Sequence, residues 1–426
     1  ISKLNNADMI KFAANLVSAA KAAGVTATAM TNTATGMDGY YAFEETTTDN
    51  SVVKAAPFVM QVTADNTTAV LKSRTPDIDK TITNSSTTSN KVDDVNIGDI
   101  CAFQLKSTVP GTYGYDTYTY KITDTMSTGL TVTGAQLKAM VVVVDGKTIT
   151  RGAGNYSVTV NGTDLDSIAD TDSFTGATFV ITFDNKFFIG TYGAAGTDGV
   201  LSYKQPYTAG ADITVDFNTT LNSSAKVNTP EVNTTKLTYS NSTTTTTDST
   251  EHKVYEYTWG IKFAKTFSDN AKLFSGVKFK MTGGKTGLRL SGSDGVYTVD
   301  PNGTIDPTVA DSLVLDSNGN IKISGLDEGT YVFSETTCPD GYTPSPDQTV
   351  TISATVGTAT DGTPTLTPAI ADGYFTGAAV NTPATFHLPS TGDVMSFALP
   401  VIGVLLMAAA AFIFLGGKLK NSNKNN

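Results

Sequence analysis

Cysteine, histidine and basic charge are all scarce in this chain of 426 residues. Two cysteines and two histidines, with no Ser-His-Asp, HExxH or CxxC pattern, argue against hydrolytic, zinc-dependent and redox enzymes. A formal net charge of −11 with only 16% charged residues argues against nucleic-acid binding, which relies on basic patches. EF-hand spacing is missing as well. We therefore predict a protein that is not an enzyme and that holds no cofactor or metal.

The two cysteines, Cys101 and Cys338, fall in different predicted domains, so we expect no disulfide between them. Cys101 alternates with Phe103 and Leu105, which predicts a buried core position. Extracellular proteins commonly rely on disulfides for stability. If this chain is exported, it needs another means of resisting unfolding.

Strand-like alternation dominates the chain after one helical segment. Apolar residues between Met9 and Ala20 recur at helical spacing, and Gly24 provides a helix end. Short alternating runs separated by Gly, Asn and Asp then favour tandem immunoglobulin-like β-sandwiches, with a Thr-rich linker at 242–250. The predicted regions are a helix-containing N-terminal piece (1–75), a large β domain (76–241), a smaller β domain (252–385) and a terminal segment (386–426).

The end of the chain combines a short motif, an apolar run and a basic tail. The run from Val394 to Gly417 (394–417) has no charged residue and is long enough to span a bilayer as a helix, which needs roughly 20 residues. The lysines after it favour a cytoplasmic tail. The segment just before it resembles the LPXTG sorting motif of Gram-positive surface proteins and consists of Leu388, Pro389, Ser390, Thr391 and Gly392.

This resemblance implies that a sortase cysteine attacks the carbonyl between Thr391 and Gly392 and transfers Thr391 to an amine. The protein would then be extracellular and covalently attached to the cell wall. The alternative interpretation is an ordinary C-terminal membrane anchor with a chance pentapeptide. Sorting implies export, yet the sequence starts at Ile1 without a signal peptide, so we expect the natural chain to extend further at its N-terminus.

Three strands of the smaller domain carry polar side chains where apolar residues are expected. Alternation turns Lys265, Glu335 and Asn381 toward the core, with Lys265 sharing its face with Phe263 and Phe267. Burial favours the neutral forms of amines and carboxyl groups. A neutral amine can attack the Asn carbonyl while the acid moves the proton, leaving an isopeptide bond and free ammonia. The alternative is a buried Lys–Glu ion pair without a covalent bond.

Two stretches around these residues are similar to CnaB-type isopeptide domains. Residues 331–342, YVFSETTCPDGY, resemble the E-box YxLxETxxPxGY, and residues 321–326, IKISGL, also match that family. The resemblance implies that Lys265 on the first strand and Asn381 on the last strand form the bonded pair. Glu335 would be the assisting acid.

The large β domain also has an inward Lys, an acid and an Asn, with weaker motifs around them. Lys80 shares a strand face with Ile78 and Ile82, and residues 124–130, DTMSTGL, resemble the DxLxxGL turn of CnaA-type isopeptide domains, which implies that Asp124 is the acid. The alternative is a solvated strand-end Lys and a turn-capping Asp. The last strand offers two Asn of the same parity, and we prefer Asn233, at the strand entry, with Asn241 as the alternative.

The whole arrangement resembles the major (backbone) subunit of Gram-positive sortase-assembled pili. Such a subunit is joined through a Lys that precedes the middle domain in a VYPK-like motif. Lys72 fits this position, but the preceding Tyr-Pro is absent, and Lys54 is the fallback. Residues 39–44, GYYAFE, resemble the late part of the family's first domain, which again indicates a chain truncated at its N-terminus.

The resemblance implies a structural role in a covalent pilus that supports adhesion. Its partners would be sortase, further copies of the subunit, peptidoglycan or a basal pilin, and a tip adhesin. It would touch a membrane only before sorting and bind no nucleic acid. The rival hypothesis is a monomeric wall-anchored adhesin that binds a host matrix protein or glycan, which the imperfect motif before Lys72 favours.

Overall fold

The computed structural model describes residues 6–28, 38–45, 57–63, 75–112, 114–195 and 201–385. Within these ranges the chain is mainly β and builds more than one β-sandwich. Among the helices described there, none is long and apolar enough to cross a membrane. Several predicted features lie outside the described residues: Lys54, Lys72, the motif from Leu388 to Gly392 and the apolar run 394–417.

The N-terminal segment contains the predicted helix. It forms α1 (Asn6–Ala22), and Gly24 follows it with a φ of 71°, a left-handed conformation that favours glycine at a helix end. A two-stranded antiparallel ribbon joins β1 (Gly39–Phe43) and β2 (Phe58–Val62). The predicted helix is confirmed.

The middle region folds from strands whose apolar residues alternate with polar ones. β3, β6 and β16, for example, bury every second residue, as expected when one strand face packs on a core. Its elements are β3 (Ile78–Ile82), β4 (Val92–Asp94), β5 (Ile100–Thr108), β6 (Tyr120–Met126), β7 (Leu130–Thr133), α2 (Gly134–Lys138), β8 (Val141–Val144), β9 (Lys147–Ile149), β10 (Tyr156–Val160), β11 (Thr163–Asp164), a 3₁₀ turn (Leu165–Ser167), β12 (Ser173–Thr175), β13 (Thr178–Phe183), β14 (Thr191–Ala195), β15 (Leu201–Lys204), β16 (Asp212–Leu221), β17 (Glu231–Ser240), β18 (Thr246–Asp248) and β19 (His252–Tyr257).

Two sheets face each other in this region, which we call the middle sandwich. One has the strand order β11-β10-β13-β6-β17-β19-β4, with β18 also on β17. The other has the order β12-β7-β16-β5-β3, and β8 and β9 extend it from β16. Phe179 of the first sheet meets Phe217 of the second edge-on at 4.9 Å between ring centroids. The core therefore lies between the sheets, and inward side chains of both contribute to it.

The C-terminal region builds a second, smaller sandwich. A six-stranded sheet, β22-β23-β25-β20-β31-β27, faces a four-stranded sheet, β24-β21-β26-β28. Phe263 on β20 stacks on Phe333 of β26 at 4.3 Å between centroids. The elements of this C-terminal sandwich are β20 (Trp259–Phe267), a 3₁₀ turn (Phe274–Gly276), β21 (Lys278–Gly283), β22 (Leu290–Ser293), β23 (Val296–Val299), β24 (Leu313–Val314), β25 (Asn320–Leu326), β26 (Gly329–Thr337), β27 (Tyr342–Thr343), β28 (Gln348–Ile352), the hairpin β29 (Ala354–Thr358) and β30 (Pro364–Pro368), and β31 (Tyr374–Pro383).

The junction between the sandwiches differs from the sequence-based expectation. The Thr-rich tract predicted as a linker contains β18, which pairs with β17, because β-branched Thr suits an extended strand as well as a polar linker. Residues 252–257, assigned by sequence to the smaller domain, form β19 and pair with β17 and β4 of the middle sandwich. The middle sandwich therefore continues up to Tyr257.

Both cysteines are free. Cys101 is completely buried and Cys338 is half-buried. The predicted absence of a disulfide between them and the core position of Cys101 are both confirmed.

Candidate cross-linking sites

The middle sandwich brings together the three residues that the sequence singled out. Lys80 points inward from β3, whereas Asp124 on β6 and Asn233 on β17 point inward from the opposite sheet. All three side chains are fully buried. The Lys80 Nζ contacts Asp124 Oδ2 across the core. We call these three residues the middle set.

Asn233 lies on the same face of its sheet as Asp124. Thr235 of β17 is opposite Asp124 in the register, and Asn233 is two positions earlier, so both side chains project into the core. Neither the side-chain oxygen nor the side-chain nitrogen of Asn233 has a hydrogen-bond partner among the described residues. An unpartnered buried amide costs about 1–3 kcal/mol, so this amide requires an explanation.

Desolvation shapes the electrostatics of the middle set. Burial lowers the pKa of Lys80 to about 8, and the Asp124 charge only partly opposes that change. Burial also raises the pKa of Asp124, and the charge of Lys80 opposes this effect. The Lys80 Nζ lies 5.0 Å from the ring centroids of Phe103 and Phe217. Proton transfer from amine to acid within this apolar site gives a neutral pair, the reactive form for attack on an amide.

Asn241, the alternative for the middle set, lies at the other end of β17. It follows Ser240, and its side-chain oxygen accepts a hydrogen bond from Thr245 Oγ1 at 2.7 Å. The strand rises by about 3.3 Å per residue, which separates Asn241 from the position opposite Asp124 by roughly 20 Å. The geometry favours Asn233.

The C-terminal sandwich places Lys265 and Asn381 on adjacent strands of one sheet. β20 and β31 are parallel neighbours, and Lys265 pairs with Ala379 in their register. Asn381 is two positions further along β31, so its side chain emerges on the same face as Lys265. Both residues are almost completely buried.

Glu335 reaches this pair from the facing sheet. Its Oε1 accepts a hydrogen bond from Asn381 Nδ2 at 2.7 Å. Its Oε2 accepts two more, from the backbone N–H of Ser345 at 2.8 Å and from the Ser345 hydroxyl at 3.0 Å. The carboxyl is thus held against the amide nitrogen, the group that must leave if the Asn carbonyl carbon is attacked. We call Lys265, Glu335 and Asn381 the C-terminal set.

The amine of the C-terminal set is also desolvated. Burial lowers the pKa of Lys265, and the charge of Glu335 opposes this effect. The Nζ donates a hydrogen bond to the backbone oxygen of Thr266 at 3.0 Å and lies 4.7 Å from the Phe267 ring centroid. The side-chain oxygen of Asn381 has no hydrogen-bond partner among the described residues. The two sets therefore share a buried Lys, an acid and an Asn with an unpartnered amide atom.

The sequence analysis assigned no role at these sites to three of their neighbours. Ser345 anchors Glu335, and Cys338 Sγ lies 3.1 Å from Asn381 Nδ2. Glu231 accepts hydrogen bonds from the Gly129 N–H at 2.8 Å and from the Ser127 hydroxyl at 2.5 Å, fixing the entry of β17. Of the three, only Cys338 carried a sequence signal, because it lies inside the E-box-like stretch.

The surroundings of Gly129 explain why the DTMSTGL stretch has a glycine at this position. A Cβ at this position would come within 2.0 Å of the Glu231 carboxyl carbon. Only glycine lets Glu231 pass close enough to bind the turn, and this turn connects the Asp124 strand to β7. The motif thus aligns the β6 turn with the start of β17.

Both sets can form an amide between Lys and Asn. The Lys Nζ would bond to the Asn side-chain carbonyl carbon, the bond from that carbon to Nδ2 would break, and the proton lost by the amine would pass through the carboxyl to the departing nitrogen. The products are an isopeptide bond and ammonia. No oxidant or cofactor is required, and among the described residues no group of His, Cys, Asp and Glu could hold a metal ion.

Two family models match the chain. Residues 260–364 match the SpaA prealbumin-like fold domain, and this range includes Lys265 and Glu335. Residues 381–424 match the LPXTG cell wall anchor motif, and this range includes Asn381. The chain carries an LPXTG cell wall anchor behind a SpaA-type domain. It is therefore a surface protein attached to the cell wall, as predicted.

Solved structures of pilins resemble the chain at low sequence identity. The full-length major pilin SpaD of Corynebacterium diphtheriae is 16% identical, with 82% of this chain and 77% of that chain covered and a TM-score of 0.47. The T6 backbone pilin of serotype M6 Streptococcus pyogenes is 16% identical, with 82% of each chain covered and a TM-score of 0.48. The 35 kDa C-terminal fragment of the major pilin GBS80 of Streptococcus agalactiae is 20% identical, with 65% and 90% covered and a TM-score of 0.43. No curated protein matches the chain.

Proposed function

We propose that the chain is the structural backbone subunit of a covalently polymerised surface pilus. Sortase cleaves it between Thr391 and Gly392 and transfers the Thr391 carbonyl to a Lys of the next copy. The cell wall anchor match supports the donor end of this joint. The single observation that carries the proposal is the pair of buried Lys–acid–Asn sets, because an exported filament under tension needs covalent clamps and the chain has no disulfide.

The acceptor end of the joint is Lys72, with Lys54 as the fallback. Both lie outside the described residues, so Lys72 rests on its position before the middle sandwich in the sequence. The chain's other partners are sortase, peptidoglycan or a basal pilin at the wall, and an adhesin at the tip.

Each sandwich carries one internal isopeptide bond. The middle sandwich is a CnaA-like domain closed by Lys80 and Asn233 with Asp124 as the acid. The C-terminal sandwich is a CnaB-like domain closed by Lys265 and Asn381 with Glu335 as the acid. The unpartnered Asn233 amide supports the middle bond, since bond formation removes its nitrogen from a buried site. The hydrogen bond from Asn381 Nδ2 to Glu335 supports the C-terminal bond, since it holds the acid beside the leaving nitrogen. We place the boundary between the domains at Thr258, after β19.

The rival function is a monomeric wall-anchored adhesin, favoured by the missing Tyr-Pro before Lys72. A muramidase digest of cells, run on a denaturing gel, separates the two. A ladder of high-mass species is expected for the pilin, and a single wall-linked band would contradict it. Lys72→Ala should abolish the ladder, and Lys54→Ala, the matched control, should leave it intact. The reverse pattern would move the joint to Lys54.

A further inference from the structure

Cys338 lies beside the reacting groups of the C-terminal set. It directly follows β26, and its Sγ is 3.1 Å from Asn381 Nδ2. The same nitrogen lies 2.7 Å from Glu335 Oε1. Both hydrogens of the amide nitrogen thus have acceptors, whereas the amide oxygen has no hydrogen-bond partner in the described part of the chain. The sulfur and the carboxylate together fix which way the amide points.

The protonation state of Cys338 Sγ determines whether the sulfur can accept a hydrogen bond or act as a nucleophile. Its thiol has backbone acceptors within 3.6 Å at the carbonyl oxygens of Pro339 and Tyr342. With its proton directed there, the sulfur offers a lone pair to Asn381. Burial, and then the charge of Glu335, raises the pKa of the Cys338 thiol. A protonated thiol is a poor nucleophile, so the geometry argues for a hydrogen-bonding role and against a covalent one.

We propose that Cys338 is a positioning residue for the Lys265–Asn381 bond, holding the leaving nitrogen beside Glu335. The inference rests on the proposed isopeptide chemistry of this set. In the reaction, Lys265 Nζ bonds to the Asn381 side-chain carbonyl carbon, and the bond from that carbon to Nδ2 breaks. The amine proton passes through the Glu335 carboxyl to Nδ2, which leaves as ammonia. The sulfur stays unchanged and keeps Nδ2 within reach of that proton.

The middle set provides an internal control. Among the described residues the Asn233 amide has no hydrogen-bond partner, and so no thiol is hydrogen-bonded to it there. The middle bond should therefore form at a rate that does not depend on Cys338. Both rates can be read in the same molecules, which separates an effect on the C-terminal chemistry from an effect on folding.

The experiment is a time course of bond formation during cell-free synthesis of the full chain. Samples are quenched in denaturant, and the joined Lys265–Asn381 and Lys80–Asn233 peptides are quantified by mass spectrometry. Cys338→Ala should slow the C-terminal bond about tenfold, the factor that corresponds to one weak hydrogen bond. Cys338→Ser restores an acceptor and should remain within about threefold of the wild type. The rate of the middle bond should stay the same in all three proteins.

A structural role for Cys338 would give a different result. In the Glu335→Ala background, where no C-terminal bond forms, adding Cys338→Ala should not change the melting temperature. The inference is overturned if Cys338→Ala forms the C-terminal bond at the wild-type rate, or if Cys338→Ser is as slow as Cys338→Ala. If the wild type forms no C-terminal bond at all, the proposed cross-link itself fails.

Discussion

The two sandwiches place their Lys and Asn side chains in different geometries. In the middle sandwich, Lys80 comes from one sheet and Asn233 from the other, so their bond would cross the core. In the C-terminal sandwich, Lys265 and Asn381 lie on neighbouring parallel strands of one sheet, so their bond would run alongside the hydrogen-bond ladder. The first ties two layers together, and the second joins the first strand of a domain to its last.

This difference determines which part of the chain carries tension. A Lys265–Asn381 bond passes force from β20 directly to β31, and residues 266–380 are bypassed. A Lys80–Asn233 bond bypasses residues 81–232 in the same way. The chain between the two bonds, 234–264, stays in the load path. It contains β19, which only non-covalent pairing with β17 and β4 holds in place. The comparison indicates that the junction, and neither sandwich core, is where a pulled subunit yields first.

The largest expected effect distinguishes the two acids. Asp124→Ala should abolish the middle bond, removing about 5 kcal/mol by the chain-entropy argument used for disulfides, and it leaves the buried Lys80 uncompensated at a further cost of about 3–5 kcal/mol. Glu335→Ala should cost less beyond the loss of its own bond, because Lys265 Nζ keeps its hydrogen bond to the Thr266 backbone oxygen, whereas Lys80 loses its ion-pair partner. Chemical denaturation with intact-mass measurement checks both variants.

Asn233→Ala is the matched control for this comparison. It removes the bond but keeps the Lys80–Asp124 pair, so it should destabilise the protein less than Asp124→Ala. Equal losses for the two variants would show that the ion pair contributes nothing beyond the bond.

Mechanical unfolding should reveal the junction directly. When force spectroscopy pulls the chain between attachment points at residues 75 and 385, it should lengthen by a step of roughly 10 nm, the extended length of residues 234–264. Neither sandwich core should add a step. Lys265→Ala should add a much longer step from the released C-terminal sandwich. A long step in the wild type would contradict the proposed load path.

The junction should also respond to pH. Asp94 accepts hydrogen bonds from the Trp259 indole N–H at 2.5 Å and from the Glu328 N–H at 3.0 Å, which connects β4 to the C-terminal sandwich. Burial, reinforced by the charge of Glu328, raises the pKa of Asp94 to about 6. Burial, reinforced by Asp94, raises the pKa of Asp327 to about 8. Glu256 in β19 is also buried, and that burial raises its pKa, with the charge of Asp93 adding to the effect.

Raised carboxyl pKa values favour the folded junction when these groups are protonated. Their stabilisation is fully present below the ordinary carboxyl pKa and is lost as the pH rises through about 6 and then about 8. For Asp94 alone the change is about 3 kcal/mol. The force that opens the junction should therefore fall between pH 4 and pH 8. Asp94→Asn should flatten this dependence and the exposed Asp347→Asn should not, and a pH-independent force would refute the idea.

The smallest expected effect concerns the alternative Asn. Asn241→Ala should leave the middle bond and its yield unchanged, because Asn241 lies at the opposite end of β17 from Asp124. Peptide mapping of the variant checks this. Loss of the Lys80-containing joined peptide would transfer the role from Asn233 to Asn241.

Strand parity accounts for what the sequence could predict about the sites. Because side chains alternate along a strand, the apolar pattern places Lys80, Lys265 and Asn381 on the inward faces of their strands. The structure buries all three. Parity says nothing about which sheet a strand joins, so it could not distinguish a bond across the core from a bond between neighbours. That distinction depends on long-range pairing, such as the parallel contact between β20 and β31.

Other features of the fold and the sites could not be predicted from the local sequence. The Thr-rich composition around β18 is compatible with either a linker or a strand, and only pairing with β17 decides between them. Ser345 reaches Glu335 from a separate loop, which no spacing rule encodes. The orientation of Glu335 toward the amide nitrogen of Asn381 also depends on three-dimensional contacts.

The most direct test of the account is the intact mass of the folded wild-type chain under denaturing conditions. Two isopeptide bonds predict a mass lower than the sequence mass by two molecules of ammonia. Peptide mapping should assign one bond to Lys80 and Asn233 and the other to Lys265 and Asn381. An unmodified mass would contradict the account.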